Sequence, residues 1–177
     1  ITNGRLATHE TSEAVNIGIK DGCFAALGDV SADQGREHID ATGLTILPGV
    51  IDTQVHFREP GIEHKEDLQS GSLAAVMGGV TGVFEMPNTK PPTTTAEAIE
   101  DKVARATNRM HCDFAFYVGG THENAAQLPE LEKMDGVCGV KVFMGSSTGN
   151  LLVPDDDGVA DILKFIRRRA AFHSEDE

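Results

Sequence analysis

The sequence predicts a parallel α/β fold, and three observations lead there. From residue 49 onward, apolar strand candidates alternate with amphipathic helix candidates, giving four β–α units and the start of a fifth strand. Before residue 49 the pattern is different, with short strands joined by tight turns. No GxGxxG follows a strand and no GxxxxGK[ST] occurs, so the usual phosphate-binding loops of open nucleotide folds are missing. Two architectures fit this pattern. One is a (β/α)8 barrel followed about halfway round, since a full barrel needs roughly 250 residues and eight units. The other is an open doubly wound sheet.

The elements follow in order. Residues 14–20 alternate, with Val15, Ile17 and Ile19 against Asn16, Gly18 and Lys20, as a half-buried strand should. Asp21-Gly22 is a hairpin signal, and residues 23–27 form the return strand. Residues 37–40 and 44–47 read as two further short strands, completing a small antiparallel sheet over 1–48. Past Pro48-Gly49, residues 50–55 form an apolar strand. Residues 66–77 form a helix with acids in its first turn and Gly78 beyond its end. Residues 80–86 are the second strand. Thr94-x-x-Glu97 is a capping box ahead of Ile99, Val103 and Ala106, which share one helical face. Residues 111–118 give a third strand, 124–133 a short helix and 137–143 a fourth strand. A helix over 155–169 has acids first and three arginines last, as the helix dipole favours. Residues 170–173 begin a fifth strand.

Composition narrows the function. Against 28 Asp+Glu stand only 15 Lys+Arg, a net charge of −13, which argues against nucleic acid or an anionic membrane as partner. No apolar run reaches the roughly 18 residues of a membrane span, and the N-terminus lacks the basic and apolar regions of a signal peptide. Three widely spaced cysteines make no disulfide framework and fit a reducing, cytoplasmic setting. The absence of an initial Met and the abrupt end at HSEDE read as the limits of a fragment.

Polar residues collect where predicted strands end: Gln54, His56, Arg58 and Glu59, then Glu85 and Asn88, then Lys141, then His173. In a parallel barrel those ends form the catalytic face. A single His at such a place is ordinarily a satisfied core or surface group, Arg58 a surface salt bridge, and Asn88 a turn residue beside Pro87. Lys141, between Val140 and Val142, is the odd one, because a lysine is almost never fully buried without a partner. Carboxylation supplies one physical reason: CO2 on a neutral amine gives a two-oxygen carbamate able to bridge two divalent metals.

The segment GVIDTQVHFREPG, residues 49–61, resembles the first-strand signature of the amidohydrolase superfamily, in its cyclic-amidase branch, where the usual form is G-x-I-D-x-H-x-H. EMPNTKPPTT (85–94), GVKVFMGSSTGN (139–150) and FHSEDE (172–177) resemble the same branch in the same order, and the segment ending in LPGVID resembles its small leading β-domain. The resemblance therefore covers the whole chain. It implies a partial TIM-type (β/α)8 metal-dependent hydrolase barrel, with residues 1–48 as the β-domain segment and 49–177 as the first half of the barrel, cut after the start of the fifth strand. Within the branch, HFREPG looks like dihydroorotase. Allantoinases tend to carry Asn at the Arg58 position, and hydantoinases a Thr between their two histidines.

The implied activity is the zinc-dependent, reversible ring opening of dihydroorotate to N-carbamoyl-aspartate in pyrimidine biosynthesis. The resemblance implies that Arg58 and Asn88 hold the substrate, and that Gln54, His56, Lys141 and His173 hold metal. The cofactors are two Zn2+ ions and CO2, the latter as a carbamate on Lys141. Arg58 is physically apt, because a guanidinium pairs with the ring carboxylate of dihydroorotate through two parallel hydrogen bonds, and allantoin and hydantoins lack that group. One departure is Gln54, which stands where the first histidine of the pair belongs; an amide oxygen is a weaker zinc ligand than imidazole, so one metal loses occupancy. The sixth-strand histidine and the proton-shuttling Asp have no counterpart, so no catalytic acid–base residue is assigned and the chain alone is expected to be inactive. Other readings are a hydrolase of another cyclic amide, allantoinase- or hydantoinase-like, and an inactive dihydroorotase-like scaffold, which Gln54 favours. A small-molecule substrate is expected, with a homo-oligomer or association with a C-terminal half.

Overall fold

Strand propensity before residue 49 is spread over five very short strands. They are β1 (Arg5–Ala7), β2 (Ser12–Ala14), β3 (Ile17–Lys20), β4 (Cys23–Leu27) and β5 (Thr45–Ile46). β1 pairs antiparallel with β2 and parallel with β5, while β3 and β4 form a separate hairpin. Asp21 and Gly22 turn that hairpin at φ +52° and +75°, the two left-handed residues of a type I′ turn. The predicted strand over 14–20 is broken at Asn16. Its side chain accepts from the Asn3 amide at 3.1 Å and donates to the Val30 carbonyl at 2.8 Å, so it pins two loops instead of continuing a ladder. Residues 37–40 contribute only an isolated bridge, Thr2 to Asp40. β1 has no signal in the sequence, because three residues are too few to show a period.

The computed structural model describes residues 1–145 and 151–175. The chain divides into two units, Ile1–Pro48 and Gly49–Glu177. The last residues of two resemblance segments, 146–150 and 176–177, lie outside the described residues. Cys23, Cys112 and Cys138 are all free, and no helix among the described residues is long and apolar enough to cross a membrane.

The second unit runs β6 (Val50–Val55), α1 (Leu68–Met77), β7 (Val80–Glu85), α2 (Ala96–Ala106), β8 (Asp113–Gly119), a 3-10 turn into α3 (Leu128–Leu131), β9 (Val137–Phe143), α4 (Asp156–Phe165) and β10 (Ala170–His173). Its five strands are all parallel and lie side by side in chain order. A doubly wound sheet reverses its order at a switch point. This one never does, which is the winding of a barrel.

One face of the sheet carries the helices. Val118, Val140 and Val142 pack there with Ile99, Leu128, Leu131 and Ile162, and Val83 and Phe116 pack with Phe57, Leu68 and Ala106. Side chains alternate along a strand, so the residues between these project to the opposite face, where Phe84, Tyr117 and Cys138 cluster.

Three helix ends differ from expectation. α1 starts at Leu68 because Asp67 is its cap, accepting from the Ser70 amide at 2.7 Å. The cap of α2 is Thr95, one residue past the predicted Thr94. α4 stops at Phe165, short of 169. The buried Glu132 carboxylate takes the Arg167 and Arg168 amides at 2.8 and 3.1 Å and draws those residues out of the helix.

Candidate active site

Two loops at the C-terminal end of the sheet are built as one piece. After β6 comes His56-Phe57-Arg58-Glu59-Pro60-Gly61, and after β7 comes Met86-Pro87-Asn88-Thr89-Lys90. The Met86 amide donates to the Val55 carbonyl, and the Lys90 amide to the Pro60 carbonyl at 2.9 Å. Gly61 sits at φ +87°, and a Cβ there would come within 2.1 Å of the Lys90 carbonyl oxygen, so this approach requires glycine. Glu59, buried, anchors the first loop. It takes a bidentate pair of bonds from Arg109 at 2.8 and 2.9 Å, and the Leu68 amide at the start of α1 at 3.0 Å. Burial alone would raise this carboxyl, but the bonds from Arg109 and Leu68 outweigh burial and hold it below the usual range. Glu59 is therefore an anchor and not a reacting group.

His56 Nδ1 lies 2.9 Å from Asn88 Oδ1. An amide oxygen only accepts, so Nδ1 carries the proton and Nε2 presents its lone pair. Burial lowers the His56 pKa, and the charges of Arg58, Lys141 and Lys102 add to this against the Asn88 bond, so the ring is neutral near pH 7. A neutral imidazole with one nitrogen tied back is the form that ligates a metal. The Asn88 contact to His56 is a role the sequence did not reveal.

Val55 packs on the helix side, so His56 projects to the opposite face, while Gln54 sits in the irregular stretch of the ladder between Asp52 and Val55. By the same alternation, with Val140, Val142 and Phe172 on the helix side, Lys141, Phe143 and His173 share that opposite face. Lys141 is buried, yet its described surroundings hold no acceptor or carboxylate partner. Its Nζ stands 5.0 Å from the centre of the Phe143 ring, and burial pushes its pKa down. His173 stacks on the same ring at 6.1 Å, and its Nε2 lies 2.8 Å from Glu175 Oε2. Gln54 is exposed, with no side-chain hydrogen bond among the described residues. Thus His56, Lys141 and His173 occupy one face of the sheet, His56 bonded to Asn88, and Lys141 and His173 both against the Phe143 ring. Among the described residues no three His, Cys, Asp or Glu side chains are grouped closely enough to hold a metal ion together.

Arg58 adopts φ +65°, and its guanidinium has no salt bridge among the described residues. Glu85 ends β7 on the helix side, fully buried, and forms an ion pair with the equally buried Lys102 of α2. Burial pushes the Glu85 carboxyl up to about 7 against the pull of Lys102 and Arg58. Burial likewise pushes Lys102 down. The sequence carried one trace of this pair: Lys102 falls on the apolar stripe of α2, three residues after Ile99 and four before Ala106.

Comparison with known proteins gives a consistent result. A family model described as Dihydro-orotase-like matches residues 43–137. An allantoinase of Rubrobacter xylanophilus is 39% identical over 163 residues, covering 92% of this chain and 35% of the relative. A dihydroorotase of Methanosarcina mazei is 36% identical over 181 residues, covering all of this chain and 39% of the relative. The solved L-hydantoinase (dihydropyrimidinase) of Arthrobacter aurescens superposes with a TM-score of 0.85 at 29% identity, over 99% of this chain and 40% of that one. The chain thus spans about two fifths or less of the length of these relatives.

Proposed function

Because the chain belongs to the dihydro-orotase-like family, we propose that it supplies the first barrel strands of a metal-dependent cyclic amidohydrolase whose substrate is dihydroorotate. The observation that carries the substrate is Arg58, a guanidinium without a carboxylate partner among the described residues, on the same loop as His56, which bonds Asn88. Dihydroorotate brings a ring carboxylate to that guanidinium, and the planar fork receives it bidentately. Asn88 commits its oxygen to His56, which leaves its amide N–H2 for the substrate.

The residues present fit a metal. His56 offers Nε2, His173 a second imidazole, Gln54 an amide oxygen, and Lys141 an amine that burial favours in its neutral form, the form that takes up CO2. Bound zinc would polarise the ring amide and supply hydroxide at neutral pH. In the overall hydrolysis water cleaves the ring C–N bond, its oxygen entering the new carboxylate and the ureido nitrogen gaining a proton. Arg58 and Asn88 orient the ring, and the buried wall of Phe143 keeps water from the lysine.

Opening of another cyclic amide is the second reading, favoured by the identity to an allantoinase. The experiment that separates the two is a substrate panel of dihydroorotate, allantoin and hydantoin on the protein as the cell makes it, supplied with Zn2+ and bicarbonate, alongside metal analysis. Preferential opening of dihydroorotate is expected. Allantoin or hydantoin opened faster would overturn the choice of substrate, and a protein without bound metal or turnover would favour an inactive scaffold.

A further inference from the structure

Asn88 holds the His56 ring only as firmly as its own loop is held, and that loop is fixed from outside. Residues 87–94, PNTKPPTT, form neither helix nor strand, and Pro87, Pro91 and Pro92 bring no N–H. Thr89, Thr93 and Thr94 are nonetheless buried, and buried backbone carbonyls need donors. Two donors come from the end of β8 and the turn after it. The Gly119 amide donates to the Thr93 carbonyl at 2.8 Å, and Asn124 Nδ2 donates to the Thr94 carbonyl at 2.8 Å. Asn124 Nδ2 also donates to the Gly119 carbonyl at 2.8 Å, while its Oδ1 accepts the Thr121 amide at 2.9 Å. Asn124 is thus buried with both amide hydrogens and its oxygen in use. An asparagine at the start of a helical turn ordinarily caps it. Here the side chain makes no cap bond and reaches instead to a loop 30 residues earlier in the chain.

Inside the loop the bonds converge on the peptide that precedes Asn88. The Pro87 carbonyl accepts the Thr89 amide at 2.9 Å and the Thr93 amide at 3.0 Å. Thr89 Oγ1 donates to the Pro91 carbonyl at 2.9 Å and lies 3.3 Å from Thr93 Oγ1. We infer that Asn124 and Thr89 are positioning residues: they clasp residues 87–94 onto the end of β8 and so keep Asn88 Oδ1 on His56 Nδ1. The inference rests on the reading of His56 as a metal ligand. Without the Asn88 bond, a neutral ring follows the preference of free histidine in water, which carries its proton on Nε2. A ring protonated there has no lone pair at Nε2 to give a metal. The clasp therefore selects the tautomer that can ligate.

Four variants of the protein as the cell makes it test this. Asn124→Asp keeps the size and the Oδ1 acceptor but loses the donor to Thr94 and Gly119. Thr89→Val keeps the shape and loses the hydroxyl, and Thr89→Ser restores the hydroxyl. Val137→Ala trims buried packing at the start of β9, away from the clasp. One measurement is the 15N–1H spectrum of the His56 ring in metal-free protein at about pH 8, where histidine is neutral. The other is zinc affinity, by competition with a chelator. The wild-type ring should show Nδ1–H alone. In Asn124→Asp and Thr89→Val the Nε2–H form should appear and zinc should bind about tenfold or more weakly, and Thr89→Ser should recover most of both. Val137→Ala should lower the melting temperature and leave the ring and the zinc affinity as in wild type. A ring unchanged in Asn124→Asp and Thr89→Val, no recovery in Thr89→Ser, or the same change in Val137→Ala would each overturn the proposal. If Asn124→Asp does not fold, the two Thr89 variants decide on the same terms. A wild-type protein that binds no zinc would sink the metal reading, while the ring spectra of the metal-free variants would still decide the clasp.

Discussion

Arg58 concentrates the substrate question in one side chain. Arg58→Lys keeps the charge but loses the fork, so kcat/KM on dihydroorotate should fall on the order of 10- to 1000-fold, from about 1.5–4 kcal/mol of charge-assisted bonding. Thermal unfolding should barely move, and steady-state kinetics beside a melting curve check both halves. Lys141 allows a second test at this scale. Lys141→Met keeps the apolar packing against Phe143, and it should remove any dependence of zinc uptake on bicarbonate, read by metal analysis after dialysis. His56, Lys141 and His173 were legible as candidates because a strand end, or a lysine inside an apolar strand, is visible in one dimension. The Asn88–His56 bond and the Glu85–Lys102 pair were not, since each joins residues 32 and 17 apart in the chain whose meeting depends on tertiary folding.

The elements around the site are held by anchors with measurable signatures. Glu59 links the first loop to α1 and α2, and its carboxyl sits below the ordinary 4.5. A depressed carboxyl lends stability that is whole above about pH 4.5 and drains away as pH falls through the lower folded value. Glu59→Gln should therefore flatten the acid limb of the stability curve, as urea titrations at a series of pH values below neutrality would show. Gly71 of α1 lies against Phe57, where a Cβ would meet the ring at 2.4 Å. Gly71→Ala should cost about 1–3 kcal/mol by overpacking, or several degrees of melting temperature, and it should disturb the adjacent His56. The element order was readable from periodicity. Element ends were less so, because caps and terminators act through side chains from elsewhere: α4 ends where Glu132, over thirty residues earlier, claims the Arg167 and Arg168 amides.

At the scale of the whole molecule, strand order in space equals strand order in the chain, and the alternation of elements anticipated this once the winding was known to be of barrel type. If the proposed ligands hold zinc in the folded state only, ligand binding adds to stability by mass action, about 2.7 kcal/mol at a hundredfold excess over Kd. Chelation should then lower the melting temperature, and zinc with bicarbonate should restore it, in calorimetric scans. The neighbour-to-neighbour order has a further consequence, for how the sheet comes into being. Each parallel pairing closes a loop of only about 20 to 30 residues, from Val50 to Val80, Gly82 to Asp113, Phe116 to Val137 and Val140 to Ala170. No strand has to wait for one that is synthesised much later. As the polypeptide leaves the ribosome, each new strand and its helix can therefore dock on the template laid down just before, so the sheet can assemble in the direction of translation, with a low contact order for a parallel fold.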